Sequence, residues 1–265
     1  MTWPGAALAS RRMARDGAVL VGVIALVMWY GVLRFPIHWM ADGHAYWSVD
    51  ASHPWLRGVG HPGAFTYSPP AAALFVALGH IPEPLFLTGW TALSLGIAVW
   101  LLRPYPIAAL ALALPLVEEI TLGQVELILA AAIVLGFRWP WTWTVVLLTK
   151  STAAIGLLWF VIRREWRQLA EALVVTAAIV AASLVAAPEW WREWLAFLQS
   201  QGALQALVPR LAIAIVVVAW GARTDRRWAV PVAAVVALPA VWLSSLAMLA
   251  AAAYLARADA GPRAP

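Results

Sequence analysis

Long unbroken apolar blocks constrain this chain more than any other feature. Ala18 to Leu33, Leu85 to Leu102 and Leu211 to Trp220 each run without a charged residue. They lack the spaced polar positions of a water-facing amphipathic helix, so lipid is their natural solvent. A hydrocarbon core about 30 Å thick is crossed by roughly 20 helical residues rising about 1.5 Å each. On that scale the chain has room for roughly eight to ten spans or half-spans. A membrane barrel would alternate lipid-facing and lumen-facing residues, whereas these blocks are continuously apolar and rich in Ala and Leu. The expected fold class is therefore all-α, a polytopic transmembrane helical bundle.

Composition agrees. Apolar residues make up 63% and charged residues 12%, against about 25% charged in soluble domains, so no water-facing surface could be built from this chain. A pI of 10.2 and a net charge of +5 would point to nucleic acid in a soluble protein. Position explains them better, and no nucleic-acid partner is expected. Arg11, Arg12 and Arg15 precede the first block, Arg163, Arg164 and Arg167 follow a middle one, and Arg223, Arg226 and Arg227 separate two late ones. Such clusters are the mark of cytoplasmic loops. The expected topology is a multi-pass protein of the cell membrane with a cytoplasmic N-terminus and an extracytoplasmic first loop. The first block is too long for a signal-peptide core and ends in Leu33-Arg34-Phe35-Pro36, so it reads as a retained anchor. Without cysteine there is neither a disulfide framework nor a thiolate metal site.

The chain reads as one membrane domain: a first span over 17–35, a polar loop over 36–68, core helices over 69–187, an interfacial segment over 188–204, C-terminal helices over 205–257 and a tail over 258–265. The loop holds Asp42, Asp50, Arg57 and four of the five histidines, broken up by prolines and glycines. Short apolar blocks at Ala71 to Leu78 and Ile107 to Val117 suggest broken or re-entrant helices, which survive in a membrane only inside protein or beside a wet cavity.

Ionisable groups within a membrane cost roughly 2.5 to 3.5 kcal/mol on insertion scales, so each needs a reason. Asp42, in Asp42-Gly-His44-Ala-Tyr46, sits just past the first span, where a carboxylate can meet watery and lipid-borne reactants together; the alternative is a solvated helix cap. Glu118-Glu119-Ile-Thr-Leu-Gly123-Gln124-Val-Glu126 is an acidic knot between apolar blocks, either a plain loop or the lining of a polar cavity. Lys150 is the single lysine beside seventeen arginines and lies within an apolar run. Its ammonium either finds a counter-anion, such as a phosphate or carboxylate, or snorkels to an interface. His38, His44, His53 and His61 are too irregularly spaced for a helical zinc motif. The eighteen tryptophans read as interfacial anchors and packing, with room for one or two to stack on a pyranose. No Walker sequence or Gly-x-Gly-x-x-Gly is present to cradle a nucleotide.

In order and spacing these residues resemble glycosyltransferase family 87, within the polytopic GT-C superfamily. The likeness runs from the arginine-preceded first span to Asp42-x-x-x-Tyr46, then Phe65-Thr-Tyr67-Ser-Pro69-Pro70, Gly123-Gln124 before Val-Glu-Leu-Ile-Leu, and Leu148-Thr-Lys150 before Arg163-Arg164-Glu-Trp-Arg167. The resemblance implies an inverting transferase that moves mannose or arabinofuranose from a polyprenyl-phosphate donor to a lipid or glycan acceptor at the extracytoplasmic face, without metal or other cofactor. It implies Asp42 as catalytic base and Tyr46, Tyr67, Gln124 and Lys150 as donor-site residues. His44 and Arg57, in the same loop, are added as candidate cations for the donor phosphate. The residues by themselves also admit a transporter or flippase, or an inactive relative acting as a subunit, although the paired halves common in transporters are not detectable.

Overall fold

The computed structural model describes residues 40–58, 61, 63–103, 106–200 and 204–260, together with Gly22. The expected first span over 17–35 lies outside these residues apart from Gly22, as does 261–265 of the expected tail. The described residues form thirteen α-helices joined by turns and short 3-10 segments, and no strand occurs among them. The all-α expectation holds.

Among the described residues three helices are long and apolar enough to cross a bilayer: Glu83–Leu102 (α3), Trp166–Ala186 (α9) and, within the helix Leu204–Thr224 (α11), the stretch Leu207–Thr224. The 20 residues of α3 reach about 30 Å, the thickness of the hydrocarbon core. A fourth candidate is a broken pair, Ala113–Leu122 (α5) and Glu126–Gly136 (α6), bent by 111° at the intervening turn. Shorter apolar helices include Pro69–Leu78 (α2) and the run Ser151–Ile162.

Burial sorts these helices. On α9 only Ala172 is fully buried, and Val174 and Val185 stand exposed. A water-soluble protein would not present such a face, which matches hydrocarbon instead. On α6 the reverse holds: Leu127, Leu129, Ala130 and Ile133 have no accessible surface. This helix is packed by α3, by Trp143–Thr149 (α7) and by Leu249–Ala260 (α13), so the broken pair lies at the centre of the bundle. Helix α13 continues past the expected helix end at 257. The interfacial segment after α9 is itself helical, Pro188–Ser200 (α10), with Trp194 donating to the Thr66 carbonyl at 3.2 Å. That bond ties α10 to the polar loop.

The bend at Gly123 has a local cause. Its φ of +74° lies in the left-handed region that only glycine enters without strain. A Cβ there would stand 3.0 Å from the backbone of Gly43. Gly123 therefore ends α5, reverses the chain and allows a second backbone to come close.

Candidate active site

The backbone that approaches Gly123 belongs to Ala41–Trp47 (α1), the short helix carrying Asp42. Met40, just before it, takes a left-handed φ of 54° and donates its N–H to the Thr121 carbonyl at 2.6 Å. Its side chain is buried against Gly43 and Gly123. Trp90 of α3 clamps the turn from the other side, donating to the Gly123 carbonyl at 2.9 Å. With the turn held on both sides, Gln124 projects toward α1, and its amide nitrogen donates to Asp42 Oδ2 at 2.5 Å.

That bond sets the polarity of a chain of polar groups. An ionised Asp42 can only accept, so Gln124 must offer its NH2 group and keep its carbonyl oxygen for Tyr46. Tyr46 lies one turn beyond Asp42 on the same face of α1 and donates to that oxygen at 3.3 Å. Its hydroxyl must then accept from Tyr67, 2.8 Å away. Both phenols are fully buried among Phe65, Phe75 and Trp90. Burial drives both phenols well above their ordinary range, followed by the Tyr67 phenol and then Asp42 in the case of Tyr46 and by Glu126 in the case of Tyr67, so both remain protonated.

Asp42 lies outside the membrane-spanning helices, and its carboxyl is pushed up to about 6. Burial is the largest cause, Glu126 and Glu118 add to the rise, and Lys150 opposes it. The Lys150 ammonium is thus near enough to act on Asp42. It is held by an ion pair to Glu126 Oε1, at the first turn of α6. Lys150 keeps 20% of its side-chain surface, whereas Glu126 keeps 1%. Glu119, likewise buried, accepts the Leu127 N–H at 2.9 Å, and Glu118 accepts the Ser244 N–H at 2.5 Å. The acidic knot is therefore interior structure and not a plain solvated loop. Lys150 itself is placed by its neighbours: both the N–H and the hydroxyl of Ser68 donate to the Leu148 carbonyl, at 3.2 and 2.5 Å. The segment bearing Tyr67 is in this way fastened to the segment bearing Lys150.

The carboxylates of Asp42 and Glu126, two phenols, an amide and one ammonium thus gather beside a kinked helix. The family model for glycosyltransferase family 87 matches residues 65–264. The chain belongs to that family. No curated protein and no solved structure matches it.

As a family 87 member the chain is a membrane glycosyltransferase. Tyr67, Gln124, Glu126 and Lys150 fall inside the matched region, while Asp42, His44, Tyr46 and Arg57 precede it. Two of the sequence-derived candidates stand apart from the Asp42 group. His44 points away on α1, pairs with Glu83 at 3.0 Å and lies exposed against Trp47. Arg57 is exposed on the loop, its guanidinium against Gly63. Conversely, reading the sequence named a carboxylate only generically as a partner for Lys150. Glu126 is that partner, and the available signal was its place two residues after Gln124, on the rim of an apolar helix where an unpaired charge is costly. Gly43 carries no such signal, because close backbone approach leaves no pattern in a single sequence.

Proposed function

We propose that this family 87 glycosyltransferase is an inverting enzyme that takes its sugar, of the mannose or arabinofuranose class, from a polyprenyl-phosphate donor. The acceptor is a lipid or glycan hydroxyl at the extracytoplasmic face of the cell membrane, with the N-terminus cytoplasmic. No cofactor enters the scheme. The observation that carries this reading is the convergence of the Asp42 carboxylate and the Lys150 ammonium on the single segment Gln124 to Glu126.

Asp42 accepts the proton of the acceptor hydroxyl as its oxygen attacks the anomeric carbon. The new glycosidic C–O bond forms while the bond from that carbon to the phosphate oxygen breaks, and the electron pair leaves with polyprenyl phosphate. Attack opposite the leaving group inverts the centre. A base raised to about 6 remains largely ionised at neutral pH and binds a proton more firmly than an ordinary aspartate. Base assistance of this kind contributes about 10² to 10⁴ in rate. Lys150 meets the charge growing on the phosphate, and Glu126 holds the ammonium ready without the donor. Gln124 fixes the carboxylate's orientation, with Tyr46 and Tyr67 fixing Gln124. Because the leaving phosphate stays on a membrane lipid, no nucleotide-binding element is required.

Membranes containing the protein are expected to transfer labelled sugar from polyprenyl phosphate, with the Asp42→Asn variant inserted normally and slower by about 10² to 10⁴. Normal turnover by that variant removes Asp42 from the base role. Flux of the labelled lipid without any covalent change would replace the transferase reading with transport.

A further inference from the structure

Glu119 is completely buried in α5, and it straddles the break between α5 and α6. Its backbone carbonyl accepts the N–H groups of Gly123 and Gln124 as the chain turns, the latter at 2.9 Å. Its side chain reaches past the turn, where Oε1 accepts the Leu127 N–H. That N–H belongs to the first turn of α6, whose donors have no carbonyl within the helix. A residue of α5 thus closes the start of α6 and fixes where Glu126, next to Leu127, stands. Its second oxygen, Oε2, is buried with no donor. Glu126 Oε2 is in the same position, since the Lys150 ammonium takes Oε1. The two carboxyls lie within hydrogen-bond reach of each other.

Two ionised carboxyls in contact and out of water would need two cations to balance them. Among the described residues, Lys150 is the one cation paired with either. The other titratable groups acting on them, Asp42, Glu118 and Tyr67, are acids and offer no positive charge. A proton on one carboxyl removes the second charge and satisfies both orphan oxygens, because a carboxylic acid donates where a carboxylate only accepts. The ammonium decides which: it stabilises the anion at Glu126 and leaves the acid to Glu119. We propose that Glu119 is a protonated positioning residue, donating from Oε2 to Glu126 Oε2 and so setting how tightly Glu126 grips Lys150. The proposal rests on the transferase reading above. Charge on Glu126 is drawn toward the shared proton and away from Oε1, so the ammonium is held yet free to turn to the donor's phosphate. Once it turns, the hydrogen bond from Glu119 still supports the buried anion.

The test compares Glu119→Leu and Glu119→Gln in the full chain in lipid nanodiscs. Leucine keeps the bulk and offers no hydrogen bond, whereas glutamine, like the neutral acid, both donates to Glu126 and accepts from Leu127. In transfer assays Glu119→Leu is expected to raise the donor KM about tenfold, with the acceptor KM unmoved. Glu119→Gln is expected to rescue the donor KM to within about twofold of the wild type. Infrared difference spectra of wild type against Glu119→Gln at about pH 8 supply a readout that needs no transfer. By that pH ordinary carboxyls are ionised, and so is Asp42, raised to about 6. A protonated-carboxyl C=O band is expected in the wild type and not in Glu119→Gln, and this band alone decides if Glu119→Leu fails to insert. Absence of the band, its persistence in Glu119→Gln, or a donor KM as poor in Glu119→Gln as in Glu119→Leu overturns the proton on Glu119 and leaves Asp42-dependent transfer standing. A band that depends on Glu119, in a protein with no transfer from polyprenyl phosphate, overturns the positioning role together with the transferase reading.

Discussion

In the proposed mechanism Asp42 is the residue on which the chemistry turns, and its environment makes a signed prediction. Burial favours its neutral form, so the folded protein holds the proton up to about pH 6 instead of the ordinary 3.8. Base catalysis requires the ionised form, and the acid limb of kcat/KM for transfer is expected to have its midpoint near 6. An acid limb near 4 in the pH–rate profile would contradict the buried setting. Stability has the opposite sign. The raised value stabilises the fold fully below 3.8, and that contribution is lost as pH rises through about 6. Asp42→Asn, which removes the charge while keeping an acceptor for Gln124, should therefore leave the thermal midpoint unchanged or higher as activity collapses. The same residue was legible in the sequence, since a carboxylate a few positions past an apolar span calls for an explanation. Its tie to Gln124 was not, because the partners stand 82 positions apart.

Among elements, the broken pair α5 and α6 does most to assemble the site. Gly123→Ala is expected to cost about 1 to 2 kcal/mol from its left-handed backbone alone. The further clash with Gly43 would push α1 away from Gln124. Thermal unfolding in detergent should show the loss, and transfer activity should fall more than stability does. The ion pair between α6 and the segment after α7 makes a separate prediction. Lys150→Met strands the Glu126 carboxylate in the interior, a loss of about 3 to 5 kcal/mol by comparison with other broken buried pairs. Adding Glu126→Leu removes the stranded charge and should recover most of that stability, though not activity. A double variant as unstable as the single one would show that the pair is not what Lys150→Met disrupts. Sequence periodicity showed that apolar helices surround these groups. It could not show that Glu126 is the anion, since Glu118, Glu119 and Glu126 all lie in one knot.

At the scale of the molecule, solvent divides the helices into an inner group around α6 and an outer one typified by α9. Val174, exposed on α9, should tolerate other apolar residues. Val174→Asp is expected to cost roughly 2.5 to 3.5 kcal/mol of membrane insertion. The inserted fraction, read by alkaline extraction of membranes, checks this; full insertion of the charged variant would argue that α9 faces water. Outer and inner helices look alike in sequence, because both are apolar on all sides. Only their packing shows which side chains touch lipid and which touch protein.

Chain composition alone determined the solvent, because a bilayer's thickness and apolarity demand long uncharged helices, and no soluble fold can hide so many. The position of polar residues beside apolar blocks also marked Asp42, Gln124 and Lys150, since polar groups near a membrane are too costly to lack a purpose, whereas Tyr46 and Tyr67 were implied only by the resemblance to family 87. Tertiary structure decided what those groups do to each other. A glycine in a left-handed turn bends one helix by more than a right angle, bringing an amide to a carboxylate and a carboxylate to an ammonium from distant parts of the chain. Such contacts depend on angles between packed helices, which the one-dimensional order of residues does not contain.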